Sequence, residues 1–151
     1  EYMKIEKKIL DSKFYGDKRT CDIKFIVVQD ISNRSITHYY ISEEKATQIV
    51  PDENMTNAVN GGRLNKRGYL HGICNKYNSI SIGLSDKTSE EDKETCLKLI
   101  MTLKQRYDIN NDNIVRQMDI TGELNPTIWH DDVKWKKDIK DKLIDPKQTK
   151  P

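Results

Sequence analysis

The sequence lacks long apolar runs and any strong excess of charge. None of its segments approaches the roughly 18 consecutive apolar residues of a membrane-spanning helix. Its first residues, EYMKIEKKILDSK, contain neither the apolar stretch nor the small-residue cleavage site of a secretory signal. We therefore expect a soluble chain. Lys and Arg number 26 against 24 Asp and Glu, a formal charge of +2, so neither nucleic acid nor a membrane surface is an expected partner.

Cysteine is also scarce. Cys21, Cys74 and Cys96 are the three cysteines of the chain, and no two of them have CxxC spacing. An odd number without short spacing argues against a disulfide framework and against a zinc knuckle. We interpret the three thiols as buried or inert.

The sequence contains enough residues for one domain. A chain of 151 residues can bury a core of two or three layers. Its last segment, residues 145–151, is polar and contains two prolines, which is typical of a flexible tail. The predicted organisation is one domain at residues 1–144 followed by a tail at 145–151.

Apolar runs and alternating patterns predict five strands. They are expected at residues 23–28, 37–41, 47–50, 79–84 and 114–116. Between the third and fourth strands lies a long loop, residues 51–77, which contains several glycines together with Arg63 and Arg67. A loop of this length within a compact domain is usually functional or mobile.

Two helices are predicted in the second half of the chain. The first begins after Thr88 or Ser89, with Glu91 or Asp92 completing the cap, and places one apolar stripe on the sheet. That stripe consists of Cys96, Leu99, Ile100, Leu103 and Tyr107. The second runs from about Asp131 to Leu143, with Val133, Ile139 and Leu143 facing inward. This order of elements predicts an α/β or α+β sheet covered by helices.

Several short segments, taken in order, resemble one known family. They are Ile26–Val28, His38–Ile41, Val50–Asn54, Asn78–Gly83, Ile114–Gly122 and Asn125–Pro126. Together they resemble the zinc-dependent N-acetylmuramoyl-L-alanine amidases of the phage-lysozyme and peptidoglycan-recognition-protein type, from about residue 4 to residue 143. The resemblance implies a mixed central β-sheet of about five or six strands, flanked by helices, with a substrate groove on one side.

The resemblance ends at the metal ligands. In that family, two histidines and a cysteine or aspartate hold a zinc ion that activates water. Carried over position by position, these ligands correspond to Gln29, Gln117 and Asn125 in this sequence. Neutral amide oxygens are poor zinc ligands. The resemblance therefore implies no metal, no cofactor and no catalytic residue in this chain.

Two supporting positions have changed as well. Some members of the family place a lysine two residues before the third ligand, where this sequence has Glu123. Others place a glutamate just after the Ser-Ile-Gly-Ile segment, where this sequence has Leu84 and Ser85. Several concerted losses on an intact scaffold are typical of a pseudoenzyme.

The resemblance implies an inactive amidase-like protein that binds peptidoglycan fragments, or muropeptides, in the former active-site groove. The residues expected around the groove are Gln29, His38, Arg63, Arg67, Arg116, Gln117, Glu123 and Asn125. Whether the three amides fill the groove floor or contact the lactyl-peptide part of the ligand stays open.

Two alternatives also stay open. One is an active N-acetylmuramoyl-L-alanine amidase that lyses cell walls with an atypical zinc site, for which the remaining soft ligands are His38, His71, His130 and Cys74. The other is a protein-interaction or regulatory module with a protein partner.

The chain begins with Glu1 rather than Met, which is consistent with a processed product or a piece of a longer protein. Its localisation stays open between secretion and the cytoplasm of a bacterium or prophage host.

Overall fold

The computed structural model describes residues 3–59 and 67–143. Six strands form one sheet. They are β1 Ile5–Lys7, β2 Phe25–Asp30, β3 Tyr39–Ser42, β4 Lys45–Gln48, β5 Ser79–Leu84 and β6 Ile114–Arg116. The α-helices are α1 Glu90–Tyr107, α2 Met118–Thr121 and α3 Asp132–Asp138. Within these ranges, no helix is both long enough and apolar enough to cross a lipid bilayer.

The sheet is mixed, in the order β1-β4-β3-β5-β2-β6. The β3–β4 hairpin is antiparallel, whereas β5 pairs in parallel with both β3 and β2, and β2 pairs in parallel with β6. Parallel pairing brings the carboxyl ends of β2, β5 and β6 to the same edge of the sheet. In open α/β sheets, ligands bind at that edge.

The two central strands are buried on both faces. β2 and β5 pair over six residues each, from Phe25 opposite Ser79 to Asp30 opposite Leu84. All of β5 is buried, and β2 is buried as far as Gln29. Strands covered on both faces read as near-continuous apolar runs rather than as alternating ones. This is why the sequence locates these two strands well.

The sheet separates two apolar clusters. On one face, Ile26, Val28 and Ile114 pack with the buried stripe of α1 and with Trp129 and Trp135. On the other face, a smaller cluster joins alternate strand residues to the long loop and α2. Its buried members are Phe25, Val27, Val59, Cys74, Val115 and Ile120. The second face therefore has a loop rather than a long helix as its cover.

The predicted cap of α1 is confirmed. Ser89 accepts a hydrogen bond from the backbone N–H of Asp92 at 3.0 Å, and Asp92 accepts one from the N–H of Ser89 at 3.3 Å. This reciprocal pair is a capping box. The predicted stripe is buried through Leu103, and Tyr107 is half-buried at the last residue of the helix.

The last helix differs from the prediction. α3 ends at Asp138, and a 3-10 helix, Lys140–Leu143, follows it. Val133 was expected to face inward, but it is 75% exposed, and Trp135 is the buried residue of α3 instead. Trp135 packs on Trp129 with ring centroids 5.5 Å apart. In this seven-residue helix, the contact of Trp135 with Trp129 determines which face is buried.

The strand predictions are confirmed in order but not always in their bounds. The strands at 79–84 and 114–116 lie as predicted, and the first three shift by about two residues. β1 was missed, because three residues carry too little pattern to be recognised. It pairs in parallel with β4, opposite Ala46 to Gln48. The predicted tail at 145–151 lies outside the described residues.

Candidate functional site at the carboxyl edge of the sheet

Two of the three predicted carboxamides lie on the same face of neighbouring strands. Gln29 is in β2 and Gln117 directly follows β6, whose register pairs Val28 with Arg116. The backbone N–H of Gln117 donates to the carbonyl of Val28 at 3.0 Å, so the pairing extends to Gln117. Side chains alternate along a strand, which puts both glutamines on the face of Val27 and Val115, towards the long loop.

The third carboxamide, Asn125, joins the same edge. Its Oδ1 accepts a hydrogen bond from the backbone N–H of Asp30 at 2.8 Å. Its backbone carbonyl accepts one from the N–H of Met118, the first residue of α2, at 2.9 Å. The three carboxamide residues thus lie at one edge of the sheet, and the Asp30–Asn125 bond there joins segments 95 positions apart in the sequence.

Both glutamines are buried and incompletely satisfied. Gln29 is 3% exposed and Gln117 is 7% exposed. Among the described residues, neither side-chain oxygen has a hydrogen-bond partner. Gln117 Nε2 donates to the carbonyl of Ala58 at 3.3 Å. A buried acceptor without a partner costs about 1–3 kcal/mol, so these two oxygens mark the site as energetically unusual.

The neighbouring strand offers no side chain at this edge. Gly83 of β5 pairs with Gln29. A Cβ atom at Gly83 would lie 2.9 Å from both Ile31 Cγ1 and Thr37 Oγ1. Leu84, by contrast, belongs to the core on the α1 side of the sheet. Gly83, and not Leu84, is therefore the β5 residue that faces the carboxamides, and Ile31 and Thr37 fill the space beside it.

Two described segments of the long loop, residues 51–59 and 67–77, contact the site. Ala58 contacts Gln117, as stated above, while further along the chain Gly68 N–H donates to the carbonyl of Ile120 at 3.0 Å and Leu70 N–H to that of Asp119 at 2.9 Å. Gly68 lies so close to α2 that a Cβ atom there would be 2.2 Å from the carbonyl oxygen of Asp119. This close approach places Arg67, which is exposed, beside α2. The predicted groove residue Arg63 lies outside the described residues.

His38 is buried rather than open to the groove. With the proton on Nε2, the ring donates to the carbonyl of Asn54 at 2.8 Å, and Nδ1 accepts from the backbone N–H of Ser81 at 3.2 Å. The Arg19 guanidinium lies 3.1 Å from Nε2. Burial lowers the pKa of His38 to about 4. His38 is therefore a neutral, buried side chain at neutral pH. The prediction that it lines the groove is wrong, because its ring nitrogens bond to the protein itself.

Arg116 does not line the groove either. Its side chain lies on the opposite face of the sheet from Gln117, 5.7 Å from the ring of Trp135. The guanidinium forms ion pairs with Asp119 at 3.2 Å and Asp132 at 2.7 Å, and donates to the carbonyl of Trp129 at 2.9 Å. Because these groups already occupy it, Arg116 stabilises the link between β6 and α3.

Glu123 lies two residues before Asn125 and is half-buried. Its backbone N–H donates to Thr121 Oγ1 at 3.2 Å. The residue after it, Leu124, is 68% exposed. On the β2 side of the site, Ile31 is 48% exposed. Two large apolar side chains therefore flank the carboxamide edge and face solvent.

The donor set at this edge does not fit zinc. Zinc in proteins takes imidazole nitrogen, thiolate or carboxylate, whereas Gln29, Gln117 and Asn125 offer neutral amides. Over residues 3–59 and 67–143, no group of three His, Cys, Asp or Glu side chains is arranged to hold a metal ion. Burial also raises the pKa of the Cys74 thiol to about 12, so its thiolate is scarce at neutral pH.

A pocket of about 520 Å³ lies elsewhere, between β1 and the end of α1. Its polar centre is the carboxylate of Asp52. That carboxylate accepts hydrogen bonds from Tyr39 at 2.6 Å, Gln48 at 3.2 Å and Arg106 at 3.3 Å, and also from Tyr107. Burial and the bond to Asp52 raise the pKa of Tyr107 to about 12. Because four side chains donate to this one carboxylate, we interpret the network as structural: it joins the sheet to the end of α1.

One organising residue was missed by the sequence analysis. The Arg19 side chain donates to the carbonyls of Asp52, Asn54, Tyr77 and Ser79 at 2.8 to 3.2 Å. It thereby ties the beginning of the long loop to its end. A lone arginine before the first central strand carries no pattern from which this role could be predicted.

Comparisons with known proteins give the fold. The chain matches no protein-family model, and no curated protein sequence matches it significantly. The PlyG catalytic domain, however, superposes with a TM-score of 0.71 at 20% sequence identity, covering 99% of each chain. A mutant endolysin from Bacillus subtilis gives a TM-score of 0.71 at 16% identity, covering 91% of this chain and 97% of that one.

The name of a third similar structure states an enzymatic activity. LysC, an N-acetylmuramoyl-L-alanine amidase from Clostridium intestinale, matches with a TM-score of 0.60 at 12% identity, covering 83% of this chain and 89% of that one. The chain has the fold of these endolysin and amidase domains. The predicted fold class, a mixed sheet of about five or six strands flanked by helices, is thereby confirmed.

Proposed function

We propose that this chain is a catalytically inactive protein of the amidase fold that binds peptidoglycan fragments in the groove over the carboxyl edge of its sheet. The observation that carries the proposal is the carboxamide set of Gln29, Gln117 and Asn125 at the end of β2 and around α2. An amidase fold supplies the groove, and the three amides replace the metal-binding groups that hydrolysis in this family needs.

The loss of metal binding follows from ligand chemistry. Zinc binding to a protein site is worth on the order of 10 kcal/mol or more, and it depends on deprotonated or basic ligands. Three neutral amides cannot supply that free energy. Without the metal, no group of this site lowers the pKa of a water molecule or polarises an amide carbonyl. Binding without cleavage is the remaining use of such a groove.

The groove retains groups suited to a peptide with acidic side chains. Arg67 is exposed beside α2, and a guanidinium binds carboxylates through paired hydrogen bonds. Ile31 and Leu124 supply apolar surface on either side of the carboxamides. Arg116 and His38 are not part of this binding surface, since both are buried in contacts with the protein itself.

The proposal is tested by binding to purified peptidoglycan sacculi and to a soluble muropeptide, followed by calorimetry. The variant Gln29→Met/Gln117→Met removes both buried amides with little change in side-chain length. We expect it to bind at least about tenfold more weakly than the natural chain. Gln105→Met, an exposed position on α1, removes an amide far from the groove and is the matched control. Unchanged binding by the double variant contradicts the proposal.

Hydrolysis is the outcome that would overturn the inactive assignment. If the natural chain releases peptide from sacculi, and a chelator abolishes the release, the chain is an active amidase with an atypical metal site. We expect no release above the buffer control.

A second candidate function is suggested by the exposed apolar pair at the rim. Ile31 and Leu124 present large side chains to solvent beside the groove, and such residues are typical of protein-binding surfaces when they are adjacent. A module that binds a protein partner would lose it in Ile31→Ser/Leu124→Ser and would show no affinity for muropeptides. Muropeptide binding by the natural chain, weakened by the same double substitution, favours the first proposal.

A further inference from the structure

The two edges of the sheet differ in how their backbone groups are used. At the β6 edge, the groups of Ile114 and Arg116 point away from β2, because Gln117 donates to β2 and the direction alternates along a strand. The Ile114 carbonyl accepts a hydrogen bond from Lys140 Nζ at 3.1 Å. The Arg116 N–H donates to Asp119 Oδ2 at 2.9 Å. The protein's own side chains therefore cover the β6 edge.

The other edge, β1, is open. Lys8 N–H donates to the carbonyl of Gln48 at 2.9 Å, so the backbone groups of Lys8 and of every second residue before it point to β4. Those of the residues in between, Ile5, Lys7 and Ile9, point away from the sheet. Over residues 3–59 and 67–143, nothing forms a hydrogen bond with these outward groups. Such an edge is a template for another strand.

The open segment also forms one wall of the pocket at the end of α1. That wall includes four alternate residues, Met3, Ile5, Lys7 and Ile9. Ile5 packs against the main apolar cluster, whereas Ile9 is 43% exposed. The chain stays beside β4 as far as Leu10, whose N–H donates to the carbonyl of Ile49 at 2.9 Å. An open backbone edge is thus continuous with a partly apolar groove.

The opposite face of β1 carries charges of both signs. The Glu6 carboxylate lies 4.0 Å from Lys8 Nζ and 3.7 Å from Lys45 Nζ. Glu6 and Lys8 flank Lys7 symmetrically in the sequence, and Ile5 and Ile9 flank it one step further out. The segment is therefore complementary to itself when it is paired antiparallel about Lys7.

We propose that the β1 edge pairs with the β1 edge of a second copy of this chain, antiparallel and centred on Lys7, so that two sheets join into one. In this register, Glu6 of each copy lies opposite Lys8 of the other, and Ile5 opposite Ile9. Opposite charges and apolar pairs directly across an antiparallel ladder are stabilising. A shift by two residues either way sets Glu6 against Glu6 or Lys8 against Lys8, which disfavours those registers.

Lys7 limits the strength of this association. Two Lys7 side chains meet at the symmetry axis, and lysine on an edge strand disfavours pairing. Glu53, which is exposed and lines the same pocket, has the opposite charge. We therefore expect a reversible dimer that forms at high protein concentration.

Exchange of charges tests the register. Sedimentation equilibrium measures the dimer dissociation constant, with a reducing agent present because Cys21 is exposed. Glu6→Lys or Lys8→Glu alone makes both pairs between the copies repulsive, and we expect either to raise the dissociation constant at least about tenfold. Glu6→Lys/Lys8→Glu should restore it to within about threefold of the natural value.

Lys45→Gln is the matched control for the charge exchange. It removes the second partner of Glu6 within the same copy, but it lies on β4 and not at the open edge. The dissociation constant should stay within about twofold of the natural value.

Proline tests the backbone pairing itself. The Lys7 N–H points away from β4, so Lys7→Pro removes no hydrogen bond within a copy but removes the central ones between copies. We expect it to abolish the dimer up to about 0.5 mM protein, with thermal unfolding showing that the chain is folded. Lys7→Thr removes the charge and keeps the N–H, and it should tighten the dimer at least about threefold.

A natural chain that stays monomeric up to about 0.5 mM overturns the inference. A dimer that persists in folded Lys7→Pro, or that the double charge exchange does not restore, forms through another surface and also overturns it. Peptidoglycan binding is tested separately, since β4, β3 and β5 lie between β1 and β2. Lys7→Pro should therefore bind sacculi as the natural chain does, and loss of sacculus binding by the natural chain would leave the dimer in place.

Discussion

Asn125 Oδ1 accepts a hydrogen bond from the backbone N–H of Asp30 at 2.8 Å, across 95 positions of the sequence. The bond ties the segment after α2 to the end of β2. Because Gln29 precedes Asp30 in the same strand, the bond also places Gln29 and Asn125 at one edge of the sheet. This edge of the sheet is therefore held together by hydrogen bonds between the protein's own groups.

The unsatisfied amide of Gln29 predicts that the site reduces stability. Replacing this buried side chain by methionine removes an acceptor that has no donor within the described residues. We expect Gln29→Met to raise the free energy of unfolding by about 1 kcal/mol. Denaturant unfolding followed by circular dichroism measures the change.

Gln48 provides the matched comparison for Gln29. It is also buried, but its Nε2 donates to the carbonyl of Val50 at 3.1 Å and to Asp52 at 3.2 Å. Gln48→Met should therefore lower the free energy of unfolding by about 1–3 kcal/mol. If both substitutions destabilise the chain equally, the account of an unsatisfied site is wrong.

Burial of neighbouring strands made most of the fold predictable. β2 and β5 are apolar without alternation because both faces are covered, and α1 has a strong cap and a long stripe. β1 was missed, and Val133 of α3 was wrongly expected to face inward, because segments of three and seven residues are too short to define a periodicity. In α3 the contact of Trp135 with Trp129, rather than the pattern of aliphatic residues, determines the buried face.

Arg116 is predicted to be a structural residue. Its side chain is buried between Asp119 and Asp132. Removal of one partner of a buried ion pair leaves an uncompensated charge and costs about 3–5 kcal/mol. We expect a loss of that size in Arg116→Met. Asp132→Asn should cost less than about 1 kcal/mol, because the Asp132 side chain is exposed. Similar effects of both substitutions on unfolding would contradict this placement.

His38 predicts a pH dependence of stability. Its pKa is lowered from 6.5 to about 4 in the folded chain. Between these values the unfolded chain binds a proton and the folded chain does not. The free energy of unfolding should therefore fall by about 3 kcal/mol as the pH decreases from 7 to 4. Below that range the His38 contribution is level.

The contribution of His38 is isolated by His38→Gln, which does not titrate. Carboxylates titrate in both proteins and cancel in the difference between the two unfolding curves. That difference should change by about 3 kcal/mol between pH 7 and pH 4. A constant difference would show that His38 is not buried as a neutral ring.

The position of the long loop depends on Gly68. A Cβ atom there would lie 2.2 Å from the Asp119 carbonyl oxygen, so the backbone must move. We expect Gly68→Ala to lower the free energy of unfolding by about 2–3 kcal/mol and to weaken muropeptide binding. Gly72 has φ +80° but open space around its Cβ position, and Gly72→Ala should cost only about 1 kcal/mol. The reverse order of effects would contradict this packing.

The candidate site could be predicted only in part from the sequence. Residue-by-residue comparison with a known family located Gln29, Gln117 and Asn125, which the fold does bring to one edge. It could not show that His38 and Arg116 are used internally, because an isolated histidine or arginine looks the same whether it faces a groove or a buried carboxylate. The hydrogen bond from Gln117 to the carbonyl of Ala58 could not be predicted either, because no pattern in the loop sequence indicates which of its residues approaches the sheet.

The zinc content of the purified chain tests the central claim most directly. The protein is equilibrated with excess zinc, dialysed against metal-free buffer and analysed by atomic emission. Because Gln29, Gln117 and Asn125 offer only neutral amides, we predict less than about 0.1 zinc per chain. One zinc per chain, together with hydrolysis of sacculi that a chelator abolishes, would contradict the account and identify an active amidase.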